Sequence, residues 1–243
     1  MRFGILAHSA EGAALCFLTF CREGFHELGP HMHPDVMLDC EAMGRILPAW
    51  DAGDHVAVRA FLAQSIERLA DGGSDFFACP DNTAHIALEA AGPDLPLPGL
   101  NIGDVVAEEA ARRGMTRVGV LGTRFTMNGP VYRRALPSVG IEPVFANEQE
   151  RADIDRIIFD ELVEGMFSEP ARRRYVEIIE RLKREEGCDG VALVCTEIPL
   201  LITPDVSPLP ILDSTRLLAR AAFEVSTGKR AFPTWRGGPV QAS

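Results

Sequence analysis

The sequence predicts an α/β protein of two related lobes, each a mainly parallel sheet flanked by helices. Three observations carry this. Short apolar runs alternate with amphipathic helix-period segments along most of the chain, the pattern of parallel strands joined by crossover helices. Two stretches share one form, an apolar strand, a polar turn and a helix start: Ser74-Asp-Phe-Phe-Ala-Cys-Pro-Asp-Asn-Thr-Ala-His85 and Val191-Ala-Leu-Val-Cys-Thr-Glu-Ile-Pro199. Pro-containing breaks fall at 95–102 and 204–213. They place lobe one at 1–102 with 213–227, lobe two at 103–212, and an irregular Gly- and Pro-containing tail at 228–243.

The elements follow in order. Residues 2–7 read as a strand, 8–12 as a small polar turn and 13–27 as a helix. His31 and His33 share a loop, with no nearby Cys or Glu to complete a metal site. Residues 36–38 form a short strand, and the stretch to Ala52 reads as a long loop. Val58, Leu62, Ile66 and Leu69 recur at helical spacing over 54–69, and Gly72-Gly73 ends that helix. A helix is expected over 84–91 after the first corner. Residues 99–102 read as a strand or crossing segment, 103–113 as a helix, 117–121 as a strand and 122–128 as a turn. Residues 132–136 read as helical and 141–145 as a strand. Helices follow over 153–163 and 170–185, the second with Tyr175, Ile178, Ile179 and Leu182 on its apolar side. After the strand at 191–194 and a break, a last helix runs to about Ser226.

Composition narrows the function. The chain has 243 residues, 47% of them hydrophobic, enough for one large domain or two lobes. Its formal net charge of −11 argues against nucleic acid or an anionic membrane as partner. Six cysteines without CxxC spacing read as reduced thiols of a cytoplasmic protein. His8, Ser9 and Glu11 interrupt the N-terminal apolar run, which argues against a signal peptide. No run has the length of a membrane span, and neither GxGxxG nor GxxxxGK[ST] occurs.

Chemistry concentrates at the two corners. Cys195 stands where a buried strand ends and a helix is expected to begin. Ligands bind at the carboxyl ends of parallel strands, and a helix N-terminus favours a thiolate. The plain alternative is an inert buried cysteine.

Asp81-Asn-Thr-Ala-His85, with Cys195-Thr-Glu-Ile-Pro-Leu-Leu201, resembles the corner motifs of the aspartate/glutamate racemase superfamily. Met115-Thr-Arg-Val-Gly-Val-Leu-Gly-Thr-Arg-Phe-Thr-Met127 and Ile157-Ile-Phe-Asp-Glu-Leu162 are similar to its aspartate racemase branch. The resemblance covers roughly 1–226. It implies a cofactor-independent enzyme of two pseudo-symmetric lobes, with the active site in the cleft between them. It also implies two acid/base residues, one per lobe, on opposite faces of a substrate α-carbon, and a homodimer. Two departures stand out. The family's first motif begins with Cys where this chain has Asp81, so either Asp81 takes that position or Cys79 reaches it. In the first turn only Ser9 and Glu11 of the family's pattern survive.

The resemblance makes Asp81 and Cys195 the candidate catalytic pair. Inversion needs a base on one face and an acid on the other. A thiol, about 8.5 unperturbed, suits both roles, while a carboxylate at about 3.9 is the weaker base. Such a pair predicts unequal rates in the two directions. Candidate substrate contacts are Ser9 and Glu11, backbone N–H groups near Asn82, Thr83, Thr196 and Glu197, and Thr123 and Thr126 in the turn after a strand. Glu197 could meet an ammonium group and Arg124 a second carboxylate. The expected partner is a small amino or carboxylic acid, with no metal and no cofactor. Two alternatives remain open: a single-thiol decarboxylase or isomerase, and a catalytically lapsed small-ligand binder.

Overall fold

The computed structural model describes residues 1–240. The chain divides into two units, Met1–Val105 joined by the segment from Thr215 onward, and Val106–Ser214. In the first unit β1 (Phe3–Ala7), β2 (Val36–Cys40), β3 (Phe76–Ala78) and β4 (Gly99–Leu100) form a parallel sheet in the order β2-β1-β3-β4. In the second β5 (Arg117–Leu121), β6 (Glu142–Phe145), β7 (Gly190–Leu193) and β8 (Ile211–Asp213) form another in the order β6-β5-β7-β8. Strands covered on both faces must be apolar throughout, and β1, β3 and β7 are buried at every position.

In the first unit Phe3 of β1 meets Phe20 of α1 (Ala10–Leu28) at 5.0 Å, and Phe20 meets Phe223 of α11 (Ser214–Ser226) at 6.0 Å. The next side chains on β1 point the other way, and Leu6 packs with Val58, Leu62, Ile66 and Leu69 of α3 (His55–Asp71). In the second unit Val191 and Leu193 pack with Ile154, Ile157 and Ile158 of α8 (Glu148–Asp160) and Tyr175, Ile178, Ile179 and Leu182 of α9 (Glu169–Arg184). Each central strand carries a glycine under its covering helix. A Cβ on Gly4 would lie 3.2 Å from Leu69 Cδ1, and one on Gly119 2.9 Å from Leu182 Cδ1. The absent side chain lets α3 and α9 lie close to their sheets.

Several expectations are corrected. The stretch to Ala52 is not one loop, since Met43–Arg45 forms a 3-10 turn and α2 spans Leu47–Asp51 with Pro48 in its first turn. Helix α1 begins at Ala10 rather than 13, directly after Ser9. Helix α4 (Ala84–Leu88) is shorter than 84–91. Residues 99–100 are strand β4 of the first sheet, and α5 (Ile102–Arg112) follows. The turn at 122–128 contains α6 (Arg124–Asn128), and α7 spans Val131–Ser138. Helix α8 starts at Glu148, five residues before the expected point, because Asn147 and Glu150 form a capping box there. The described part of the tail has no regular structure but is tied down: Leu95 N donates to Arg236 O, Gly99 N to Trp235 O and Gly238 N to Leu88 O. No helix among the described residues is long and apolar enough to cross a membrane.

Strand β2 is pinned by charge. Arg68 of α3 donates to both oxygens of Asp39, at 2.9 and 2.8 Å, and Ser65 donates to the same carboxylate. The Arg68 fork, against the effect of burial and with help from Ser65, holds Asp39 below its ordinary carboxylate pKa. A depressed carboxylate stabilises the fold above its unfolded pKa of about 3.9, and that contribution is lost as pH falls through the folded value. Urea midpoints of the wild type and Arg68→Ala should therefore differ at pH 6 and converge as pH drops below about 3.9. A difference that persists undiminished at pH 2 would refute this linkage.

Candidate active site

The first corner begins where β3 runs out. Phe76, Phe77 and Ala78 are buried, and Pro80, which has no N–H, cannot continue the ladder. The chain turns through Asp81, Asn82 and Thr83 into α4. Asp81 is half-buried, and its Oδ1 accepts from Ala84 N at 3.2 Å, so the carboxylate caps the helix it precedes. His85 anchors the turn. Its Nε2 accepts from Ile102 N at 3.2 Å, which leaves Nδ1 to donate to Asp81 O at 2.9 Å. Burial pushes its pKa below the ordinary histidine value, and its neutral ring stacks on Trp235 at 6.0 Å. His85 is thus a structural tie for the Asp81 backbone.

The second corner follows β7. Val194 is buried, and its N–H donates to Leu121 O at 2.8 Å. Cys195 comes next and is half-buried, its Sγ donating to Glu197 Oε2 at 3.0 Å. Thr196 is buried. The helix that follows, α10 (Ile198–Leu201), has only four residues and starts three residues after the thiol. So short a helix sums little dipole. The carboxylate of Glu197 lies against the Cys195 sulfur, and the helix expected to begin there is a single turn starting at Ile198.

The two sheets, each taken by itself, have one register. Gly4 of β1 lies opposite Phe77 of β3, and Gly119 of β5 lies opposite Val191 of β7. Counting four residues onward from each partner reaches Asp81 and Cys195. The pairing with the outer strands agrees: Phe77 faces Gly99 and Val191 faces Ile211. Asp81 and Cys195 thus hold the same position in their own units. Cys79 instead matches Leu193, a core position. It is fully buried with Leu6, Phe77 and Leu88, and burial, with Asp81 adding, pushes its thiol well above the ordinary range.

The other sequence candidates fall as follows. Ser9 is half-buried just before α1 and makes no side-chain bond to the helix; Glu11 is exposed on its first turn. Asn82 is buried and Thr83 half-buried. Thr123 caps α6, accepting from Thr126 N at 3.3 Å, and its hydroxyl lies 3.2 Å from that of buried Thr126. Arg124 pairs with Asp155 at 3.6 Å on the surface.

One residue escaped the sequence reading. His8, directly after β1, is buried and accepts from Trp50 Nε1 at 2.9 Å, the two rings stacked at 5.8 Å. An indole N–H only donates, so Nε2 is the acceptor in this bond. Trp50 comes from α2, the helix missed in the sequence, and Pro48 in its first turn was the available signal.

Comparison with known proteins gives a consistent result. Residues 21–222 match the family described as Asp/Glu/Hydantoin racemase. The broad specificity amino-acid racemase RacX of Bacillus subtilis (strain 168) is 25% identical over 171 residues, 69% of this chain and 72% of that protein. Among solved structures, a provisionally assigned Asp/Glu racemase from Yersinia pestis superposes with a TM-score of 0.84 at 28% identity, covering 93% of this chain and 99% of the other. An aspartate racemase homologue from Pyrococcus horikoshii OT3 gives 0.80 at 25% identity, with the same coverage of 93% and 99%.

Proposed function

This chain belongs to the Asp/Glu/hydantoin racemase family, and we propose that it is a cofactor-independent amino-acid racemase or epimerase using Cys195 and Asp81 as opposed acid/base groups. The observation that carries this reading is the shared register: an acid/base-competent side chain ends the same strand of each sheet, one a thiol and one a carboxylate. In one direction Glu197 takes the Cys195 proton, the thiolate removes the α-proton, and protonated Asp81 delivers a proton to the opposite face. In the other direction the Asp81 carboxylate removes the α-proton, the Cys195 thiol delivers one to the opposite face, and Glu197 hands its proton back to the sulfur. The Cys195–Glu197 bond supports the first step, since a carboxylate at 3.0 Å is a proton acceptor already in place.

Charge supports a substrate range. Asp81, Glu197 and Glu11 are all acidic, and Arg124 is engaged by Asp155. Such surroundings favour a substrate whose ammonium group is its main charge, so neutral amino acids should outperform aspartate and glutamate. The broad specificity named for the Bacillus relative is in keeping with this. The family resemblance further supports a homodimer, which light scattering on a sizing column would test.

The deciding experiment incubates the protein in D2O with single enantiomers of a panel of amino acids and follows the α-proton by NMR. Exchange with inversion is expected. Exchange with retention only, or loss of CO2, would replace this reading with one-sided chemistry at the thiol. No exchange on any member would leave a binder.

A further inference from the structure

The phenol of Tyr175 is out of place as a packing residue. Its side chain is fully buried on the apolar face of α9, yet its hydroxyl has no hydrogen-bond partner. A buried hydroxyl without a partner is costly and calls for an explanation.

Its position in the unit supplies one. Leu182 lies over Gly119, which pairs with Val191 of β7. A crossover helix between parallel strands runs back against them. Tyr175, seven residues before Leu182, therefore lies about 10 Å farther toward the carboxyl ends of the strands. Cys195, four residues past Val191, lies about 13 Å along the same direction. The phenol and the thiol are thus at one level, and both belong to the same apolar cluster. The first unit offers an internal comparison. There Leu69 of α3 lies over Gly4, and the residue seven positions earlier is Leu62, fully buried and wholly apolar. The same packing position is filled without a hydroxyl where the strand end carries a carboxylate instead of a thiol.

We infer that Tyr175 is a positioning residue for the thiol, its O–H donating to the Cys195 sulfur once that sulfur is a thiolate. The inference rests on the reading of Cys195 as an acid/base group. In the structure as it stands the thiol donates to Glu197, so the sulfur has no negative charge to attract the phenol. When the proton leaves, an anion forms beside a carboxylate. The groups acting on the phenol are Cys195 and Glu197 at the corner and Asp155 on α8, all of them acidic. Burial, with these three adding to it, holds the phenol protonated well above its ordinary range. It is therefore a neutral donor in acidic surroundings, able to bond the thiolate without adding charge.

The test uses Tyr175→Phe, which keeps the ring and removes only the hydroxyl. The rate of Cys195 alkylation by iodoacetamide is measured against pH, with peptide mapping to separate it from exposed Cys40. A hydrogen bond to a charged group corresponds to a shift of about one to two pH units. The alkylation midpoint should move up by that amount, the rate near neutral pH should fall about tenfold or more, and the urea midpoint should stay level or rise. A midpoint that coincides with the wild type overturns the inference. So does a loss of stability, which would show the hydroxyl to be bonded within the core. Alkylation reads the thiol directly and needs no turnover. Failure of the racemase reading shows separately, as absent α-proton exchange in the wild type.

Discussion

Cys195→Ser is expected to lower racemisation by about 10²–10⁴-fold, the range for removing one acid/base group. A hydroxyl can still donate to Glu197 but does not ionise near neutral pH, so the corner keeps its bond and loses its proton chemistry. The loss should be one-sided at the level of exchange. The enantiomer whose α-proton meets Asp81 should still exchange in D2O, with retention, while its antipode does not. Asp81→Asn should give the mirror result, since its amide oxygen still accepts from Ala84 N and the turn stays folded. Cys79→Ala is the control. It empties a small volume in the core and should cost about 1 kcal/mol of stability with unchanged rates. If both corner variants retain full exchange from both enantiomers, the paired mechanism is wrong. If Cys79→Ala abolishes turnover, Cys79 rather than Asp81 is the second group.

The largest effect on stability should come from Arg181→Met. Arg181 donates to both oxygens of Glu150, at 2.5 and 2.6 Å, and to Glu186 at 2.9 Å. Glu150 is 4% exposed and also accepts from Asn147 N, closing the capping box that starts α8. The Glu150 bond, against burial and with Glu186 helping, raises the Arg181 pKa above its ordinary value, so the guanidinium stays charged at any working pH. Removing the arginine strands a buried carboxylate, a change that costs about 3–5 kcal/mol when one partner of a buried pair is deleted. Urea unfolding followed by circular dichroism should show that loss. The double variant Arg181→Met with Glu150→Gln should recover part of it. A loss below about 1 kcal/mol would mean the pair acts as an ordinary surface bridge.

Both sheets and the long helices were legible because their signals are local. Val58, Leu62, Ile66 and Leu69 mark α3 by spacing alone, and Asp54 caps it through Ala57 N at 2.9 Å. Helix α2 was not legible, since five residues are too few for a period to emerge. The first turn of α8 is Glu-Gln-Glu-Arg, which has no apolar face, so only its cap announced it. At the site, Cys195 and Glu197 could be named as neighbours of a strand end, but their mutual bond could not, and the helix expected to stabilise the thiolate proved to be a single turn.

Local pattern alone settled the class of this chain: alternating strand and helix periods, two matching corners, and side chains suited to moving a proton. Those properties arise between residues a few positions apart, where backbone geometry dictates who meets whom. Tertiary structure alone put Cys79 in the apolar core of its unit, and showed that His8 holds Trp50 and that the Tyr175 hydroxyl is buried without a partner. Each of these depends on which strand pairs with which, and on a helix crossing back over its sheet. Such contacts join distant parts of the chain, and no period within one segment records them.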